Sequence, residues 1–273
     1  MTAILLEDPS GGRRDLGGHR GPPSWARRLS GPVVLLVAWQ LVVALHLVDD
    51  RYLTSPWSVV QAGQQLLGDG TLQGDLTASL SRVLWGLAFG VTAGVGLALV
   101  AGLFRLGEDL VDSTMNLLRA VPVIALLPLI IVWVGIGEEA KILLISIGAA
   151  FPVYLNTFAA IRNVDEKLVE TARAFGLGRL GVIRRVVLPG ALAGFLVGFR
   201  WAMGAAWVLL VFAEQVNANR GIGYLITQAQ AWNRTDIIIL GLAVYGLLGL
   251  ASDGVVRLLE RRLLSWRRGL IAR

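Results

Sequence analysis

The chain has 273 residues, is 55% hydrophobic, has a mean hydropathy of +0.65 and carries a formal net charge of +6. That apolar share exceeds what a soluble domain normally holds and points to an all-α polytopic membrane protein. The absence of Cys excludes a disulfide framework and a thiolate metal site, and His19 and His46 alone exclude a His-based metal centre, while the pI near 10.4 comes from Arg residues lying between apolar spans and at the termini rather than on a nucleic-acid-binding face.

Taken in chain order, residues 1–30 read as a flexible cytoplasmic tail. Gly11-Gly12-Arg13-Arg14 and Gly21-Pro22-Pro23 are poor in core-forming side chains, and no apolar run is long enough for a signal peptide. The membrane-spanning region follows over 31–260, and 261–273 forms a basic cytoplasmic C-terminal tail. A spanning helix needs about 20 mainly apolar residues, and six candidates meet or approach that length. They are Val33–Val48 with Gln40 and His46 inside, Val83–Leu103, Ala120–Gly137 with Pro122 and Pro128, Ile142–Ile161 with Pro152 and Asn156, Val186–Ala213 interrupted only by Arg200, and Ile237–Ser252.

Cationic residues orient these spans. With both termini inside, the cytoplasmic side holds Arg13, Arg14, Arg20, Arg27 and Arg28, then Arg105, the group from Arg162 to Arg185, and the Arg-rich C-terminus. Only Arg51, Lys141, Arg220 and Arg234 fall outside. The positive-inside rule therefore places both termini and the fourth connection in the cytoplasm. Small residues recur at every fourth position as Gly86, Gly90, Gly94, Ala98 and Gly102, and again as Gly190, Gly194, Gly198, Ala202 and Ala206. Such ridges let helix backbones approach closely, so both are expected to face other helices within the subunit or across a dimer. Trp25, Trp57, Trp85, Trp133, Trp232 and Trp266 lie near span ends and suit an interfacial belt.

The fourth connection, 162–189, is the most informative segment. Val164, Leu168, Thr171, Ala172 and Phe175 share one helical face, with Glu166, Glu170 and Arg173 opposite. Asn163 or Asp165 can cap the start and Gly176 or Gly178 the end, which predicts a short amphipathic helix over 165–175. Pro189 then falls in the first turn of the fifth span, where a missing N–H matters little. The alternative is an interfacial helix lying on lipid headgroups.

Glu170-Thr171-Ala172, three residues, Gly176, nine residues and Val186-Val187-Leu188-Pro189 resemble the cytoplasmic loop signature of ABC-importer permeases, with Thr171 in place of Ala and Val186 in place of Ile. Beyond about Leu80 the chain is similar to the permease group serving aliphatic sulfonates, taurine, nitrate, bicarbonate and thiamine precursors. Ser81-Arg82 with Gly86, Arg119-Ala120-Val121-Pro122, Gly198-Phe199-Arg200, Ala206-Trp207, Ala213-Glu214, Gly221-Ile222-Gly223-Tyr224 and Leu258 to Trp266 carry that similarity. The resemblance implies a type I, methionine-importer-like fold in the bacterial inner membrane. It implies a homodimer bound to two ATPase subunits and served by an extracytoplasmic solute-binding protein. Residues Glu170, Thr171, Ala172, Arg173, Phe175, Gly176, Leu188 and Pro189 would then couple to the ATPase.

The chain holds no Walker A motif, so ATP and Mg²⁺ belong to the partner subunit and no cofactor of its own is expected. Arg119, Asn156, Thr157, Arg200 and Glu214 are pathway candidates. Arg200 either lines the path and favours anions or snorkels to a helix break. Arg119 and Glu214 also fit interfacial caps, and Asn156 and Thr157 also fit interhelical hydrogen bonds. Gly221, Gly223 and Tyr224 are candidates for a binding-protein or gate element, with a Gly-rich re-entrant turn as the plainer reading. An importer for a small organic anion is the main expectation, the same machine for nitrate, bicarbonate or a thiamine precursor the nearest alternative. An ion-driven secondary transporter is the rival of another class; it would need intramembrane acidic residues and broken helices.

Overall fold

A computed structural model describes residues 24–49 and 51–265. Most of the expected N-terminal tail, and the C-terminal segment from Trp266 onward, lie outside the described residues, as do the side chains of residues 24–29. The chain divides into two units, the first ending at Asp49. In the first, helix α1 (Ser24–Ala44) has Pro32 inside it, and its apolar part, Ser30–Ala44, falls short of a full span.

Among its described residues, the second unit's regular structure is all helical. Helix α2 (Pro56–Gly68) starts with Pro56 in its first turn and Ser55 as N-cap, whose Oγ accepts the Ser58 N–H at 3.1 Å. Helix α3 (Thr71–Leu103) begins twelve residues before the apolar run at Val83, because Asp69 Oδ1 accepts the Thr71 N–H at 2.9 Å and Leu72 and Leu76 supply an apolar edge. That same hydrogen bond lowers the Asp69 carboxyl below its ordinary pKa.

Of the expected third span, Ala120–Gly137, only a short helix forms: α5 (Val123–Val134, opening with a 3₁₀ turn), which meets the preceding helix α4 (Arg105–Leu118), not expected from the sequence, at 89°. Proline at 122 offers no N–H and pushes Val121 out of helical geometry, so the helix stops before Arg119 and the chain restarts in a new direction. Helix α6 (Glu138–Arg162), helix α8 (Arg179–Val216) and helix α10 (Thr235–Leu263) are, with α3, long and apolar enough to span. Counting the bent pair gives five, and α1 is the short sixth. Helix α8 starts seven residues before the expected Val186. A π-turn over Ile183–Val187 absorbs the clash that Pro189 would otherwise make with the preceding turn. Helix α10 continues to Leu263, past Arg261 and Arg262. Two short helices, α7 (Glu166–Ala174) and α9 (Ile222–Ala231), fill the connections.

Helix α6 is the centre of the unit. Both small-residue ridges face it. A Cβ at Gly90 would sit 2.5 Å from the Ser146 carbonyl oxygen, and one at Gly94 would sit 2.6 Å from that of Ala150. On the other flank, Gly194 and Gly198 would meet the Asn156 and Pro152 carbonyl oxygens at 2.8 and 2.6 Å. Backbone-close packing on two sides makes α3, α6 and α8 a three-helix slab. Trp57, Trp85, Trp133 and Trp232 are all exposed, as an interfacial belt requires.

Candidate functional site

Three places collect most of the residues that sequence reasoning singled out. The first is α7. Asp165 caps it by accepting the Lys167 N–H at 2.9 Å. The helix ends at Phe175, and Gly176 turns the chain with φ +81° while the Leu177 N–H reaches the Ala172 carbonyl at 3.1 Å. This is a glycine C-cap that a side chain would strain. The expected apolar face splits in two. Ala172 is buried with Val164 and Val169 against Ile161 of α6 and Val187 and Ala191 of α8. Leu168, Thr171 and Phe175 point outward, Phe175 at 84% exposure, beside the exposed Glu170 and Arg173. The physical reason is width: a helix seated on a surface buries only one edge of a broad stripe. Leu188 and Pro189 lie just past the π-turn, and Pro189 lines a groove shared with Leu168, Thr171 and Arg185.

The second place is a cleft of about 900 Å³ between the Val123–Ile124 turn and α8, walled by Gly148, Trp201, Gly204, Val208 and Phe212, with Arg200 as its one ionisable lining residue. Arg200 is not a stranded intramembrane charge. Its Nη2 donates to Glu260 Oε2 at 2.8 Å, and its Nε lies 3.6 Å from Asp253 Oδ1. Glu260 is three residues from the end of α10, which fixes Arg200 near the C-terminal end of that helix. Its side chain is 45% exposed, on the cleft side of the pair.

The other pathway candidates are scattered. Arg119 is exposed at the break after α4. The Asn156 amide donates to the Pro152 carbonyl at 2.9 Å, an intrahelical bond. Thr157 is buried with its hydroxyl lacking a hydrogen-bond partner, and it lines a small apolar cavity with Val95, Leu99 and Phe195.

Glu214 belongs to the third place, a buried polar knot. It is fully enclosed, and its carboxylate accepts from Arg82 Nη1 at 2.6 Å, Ser79 Oγ at 2.7 Å, the Gly223 N–H at 2.8 Å and the Tyr245 hydroxyl at 3.0 Å. Asp75 accepts the Gly221 N–H at 2.9 Å, and Ser79 Oγ accepts the Ile222 N–H at 3.0 Å. Three consecutive N–H groups at the start of α9, which a helix leaves orphaned, are thus satisfied by α3 and α8. Arg82 also donates to the Arg220 carbonyl at 2.7 Å and forks onto Glu138 at 2.5 and 2.8 Å, while Lys141 adds a third contact to Glu138 at 3.0 Å.

Gly221 and Gly223 are therefore buried in the knot, and Tyr224 is half-buried with its hydroxyl accepting from Gln228 at 2.6 Å. Gly221 has φ +126°, and a Cβ there would sit 2.6 Å from Arg82 Nη1; one at Gly223 would sit 2.7 Å from the Glu214 Cβ. Sequence reasoning assigned no site role to Asp75, Ser79, Arg82, Glu138, Lys141 or Tyr245, using Arg82 only in the family resemblance and Lys141 only in the charge count. The signal was present: Asp75, Ser79 and Arg82 recur at i, i+4 and i+7, a polar stripe on a helix otherwise becoming apolar.

The model of the binding-protein-dependent transport system inner membrane component family matches residues 90–265. A protein of Escherichia coli (strain K12) named as the aliphatic sulfonates transport permease SsuC is 43% identical over 235 residues, covering 86% of this chain and 89% of its own length. The taurine transport system permease protein TauC of the same strain is 35% identical over 238 residues, covering 85% and 86%. Among solved structures, the crystal structure of an amino acid ABC transporter with histidines superposes with a TM-score of 0.59 at 20% identity, over 76% of this chain and 97% of that one.

Proposed function

This chain belongs to the binding-protein-dependent transport system inner membrane component family, as a non-catalytic, multi-pass permease subunit of an ATP-binding-cassette importer in the bacterial plasma membrane, and from that premise we propose that it imports a small organic anion of the aliphatic sulfonate or taurine type. Two copies form the path between them, each bound by one ATPase subunit that holds ATP and Mg²⁺, with a solute-binding protein delivering cargo from outside. Both termini and α7 lie in the cytoplasm, in keeping with the Arg distribution.

The observation that carries this reading is α7. It is nine residues long, capped at both ends and seated on the inner ends of α6 and α8 by Ala172, with Leu168 and Phe175 left uncovered beside Glu170 and Arg173. A part so placed receives a push from a second protein and hands it to two spans. Exposed Trp201, Val208 and Phe212 on α8 support a partner copy across the cleft, and the sulfonate and taurine permeases among the relatives support the solute class.

Proteoliposomes holding the chain, its ATPase and its solute-binding protein are expected to take up radiolabelled taurine or butanesulfonate only with ATP on the ATPase side. Uptake by the permease alone under an imposed proton or sodium gradient would overturn the assignment. Glu170→Ala and Gly176→Pro should insert normally yet hydrolyse ATP without uptake, a loss of about fivefold or more at the lower end of usual coupling energies. Proline is chosen because Gly176 needs φ +81° and donates its N–H to the Arg173 carbonyl at 2.9 Å.

A further inference from the structure

The buried charged side chains among the described residues are Asp75, Arg82, Lys141 and Glu214, and all four sit in the one knot at the outer ends of the helices. Elsewhere the buried core that α3, α6 and α8 share is built of glycine, alanine and aliphatic side chains with Trp207, and holds no buried charge. Burying ions is a weak way to gain stability, because desolvation offsets much of the attraction, but it admits a single geometry and penalises every other register. Concentrating all of them at one level calls for a reason tied to that level.

Its position supplies the reason. The knot clamps the first turn of α9 by three N–H groups, through Asp75, Ser79 and Glu214. Its remaining ligand is Glu138, the first residue of α6, whose side chain is 54% exposed and draws Arg82 and Lys141 to it. From Glu138 the helix runs 25 residues to Arg162, about 37 Å at 1.5 Å per residue, and after a three-residue turn continues as α7. Along that length glycines of α3 and α8 hold its two flanks at backbone distance. An outer segment and an inner helix are thus tied to opposite ends of one continuous helix, whose Pro152 turn is held by the close approach of Gly94 and Gly198 to the Ala150 and Pro152 carbonyls.

We infer that Arg82 and Glu214 are positioning residues for coupling: they fasten α9 to the head of α6, so that a load applied to the outer face is delivered at α7. The inference rests on the importer reading above and adds the direction outside to inside, by which a loaded solute-binding protein is sensed. Arg82 suits this better than Lys, because a single guanidinium serves Glu138, Glu214 and the Arg220 carbonyl together, which one ammonium cannot match in geometry.

The test is ATP hydrolysis by the whole complex in nanodiscs, with and without its solute-binding protein loaded with taurine or butanesulfonate. Arg82→Lys, Glu214→Gln and Glu138→Gln are compared with the unaltered chain; the last alters a half-exposed side chain and keeps the fold if the first two do not. The expected result is unchanged basal hydrolysis with stimulation by the binding protein reduced about fivefold or more, the range of a lost coupling energy. If the variants that assemble keep full stimulation, and differ only in yield or melting temperature, the knot is a fold staple and the inference fails. A wild-type complex that no loaded binding protein stimulates would instead sink the importer reading itself.

Discussion

Gly221 and Gly223 show how a short motif hides its reason. Their spacing was legible as a candidate outer element, but nothing in the sequence says that the space beside them is taken by Glu214, whose partners come from positions as distant as Ser79 and Tyr245. Long-range partners of a buried carboxylate leave no local pattern. Gly221→Ala is expected to lose about 1–3 kcal/mol, the usual strain of a side chain held at an unfavourable φ, and more from overlap with Arg82. A thermal melt of the purified permease in detergent would register it as a lowered midpoint. Glu170, Arg173 and Asp165 were legible because helix capping and helical periodicity are local rules, and the structure places each on or at the start of α7.

At the scale of elements, the sequence located every long apolar helix but misjudged where helices begin and where they break. The start of α3 at Thr71 and of α8 at Arg179 escaped because those turns are amphipathic rather than apolar, and hydropathy marks only the part that lipid covers. The 89° bend between α4 and α5 was signposted by Pro122, yet a proline alone does not tell a kink from a full break. The glycine ridges were read as contact faces; their shared partner, α6, emerged only in three dimensions. Gly90→Leu and Gly194→Leu should each destabilise by about 1–3 kcal/mol or block assembly, since overpacking moves backbone rather than a side chain. Gly96→Leu, with nothing within 4 Å of a new Cβ in the single chain, is the matched control. Detergent-solubilised yield and gel-filtration profile distinguish them.

For the molecule as a whole, the absence of Cys is an experimental asset. Single cysteines at exposed Leu180 and exposed Trp232 test the orientation without background. A membrane-impermeant maleimide added to right-side-out vesicles is expected to label Trp232→Cys and spare Leu180→Cys, with the reverse in inverted vesicles. Equal labelling from one side would overturn the orientation drawn from the Arg distribution. Fold class and family were readable from hydropathy and one loop because both express one-dimensional constraints. The solute is not so written: the cleft holds a single cationic group among apolar walls, a description many anions satisfy.

The enclosure of α6 carries a consequence for biosynthesis. Its two glycine-lined neighbours lie on opposite sides of it in the chain, α3 upstream and α8 downstream. A ribosome adding about 5–20 residues per second leaves the newborn rod half-dressed for seconds after it enters the bilayer, one flank of bare carbonyl-rich surface awaiting a strip not yet translated. Nascent chains truncated before Leu188 should therefore cling to the insertase or fall to membrane proteases, whereas those released after Asn217 should escape both.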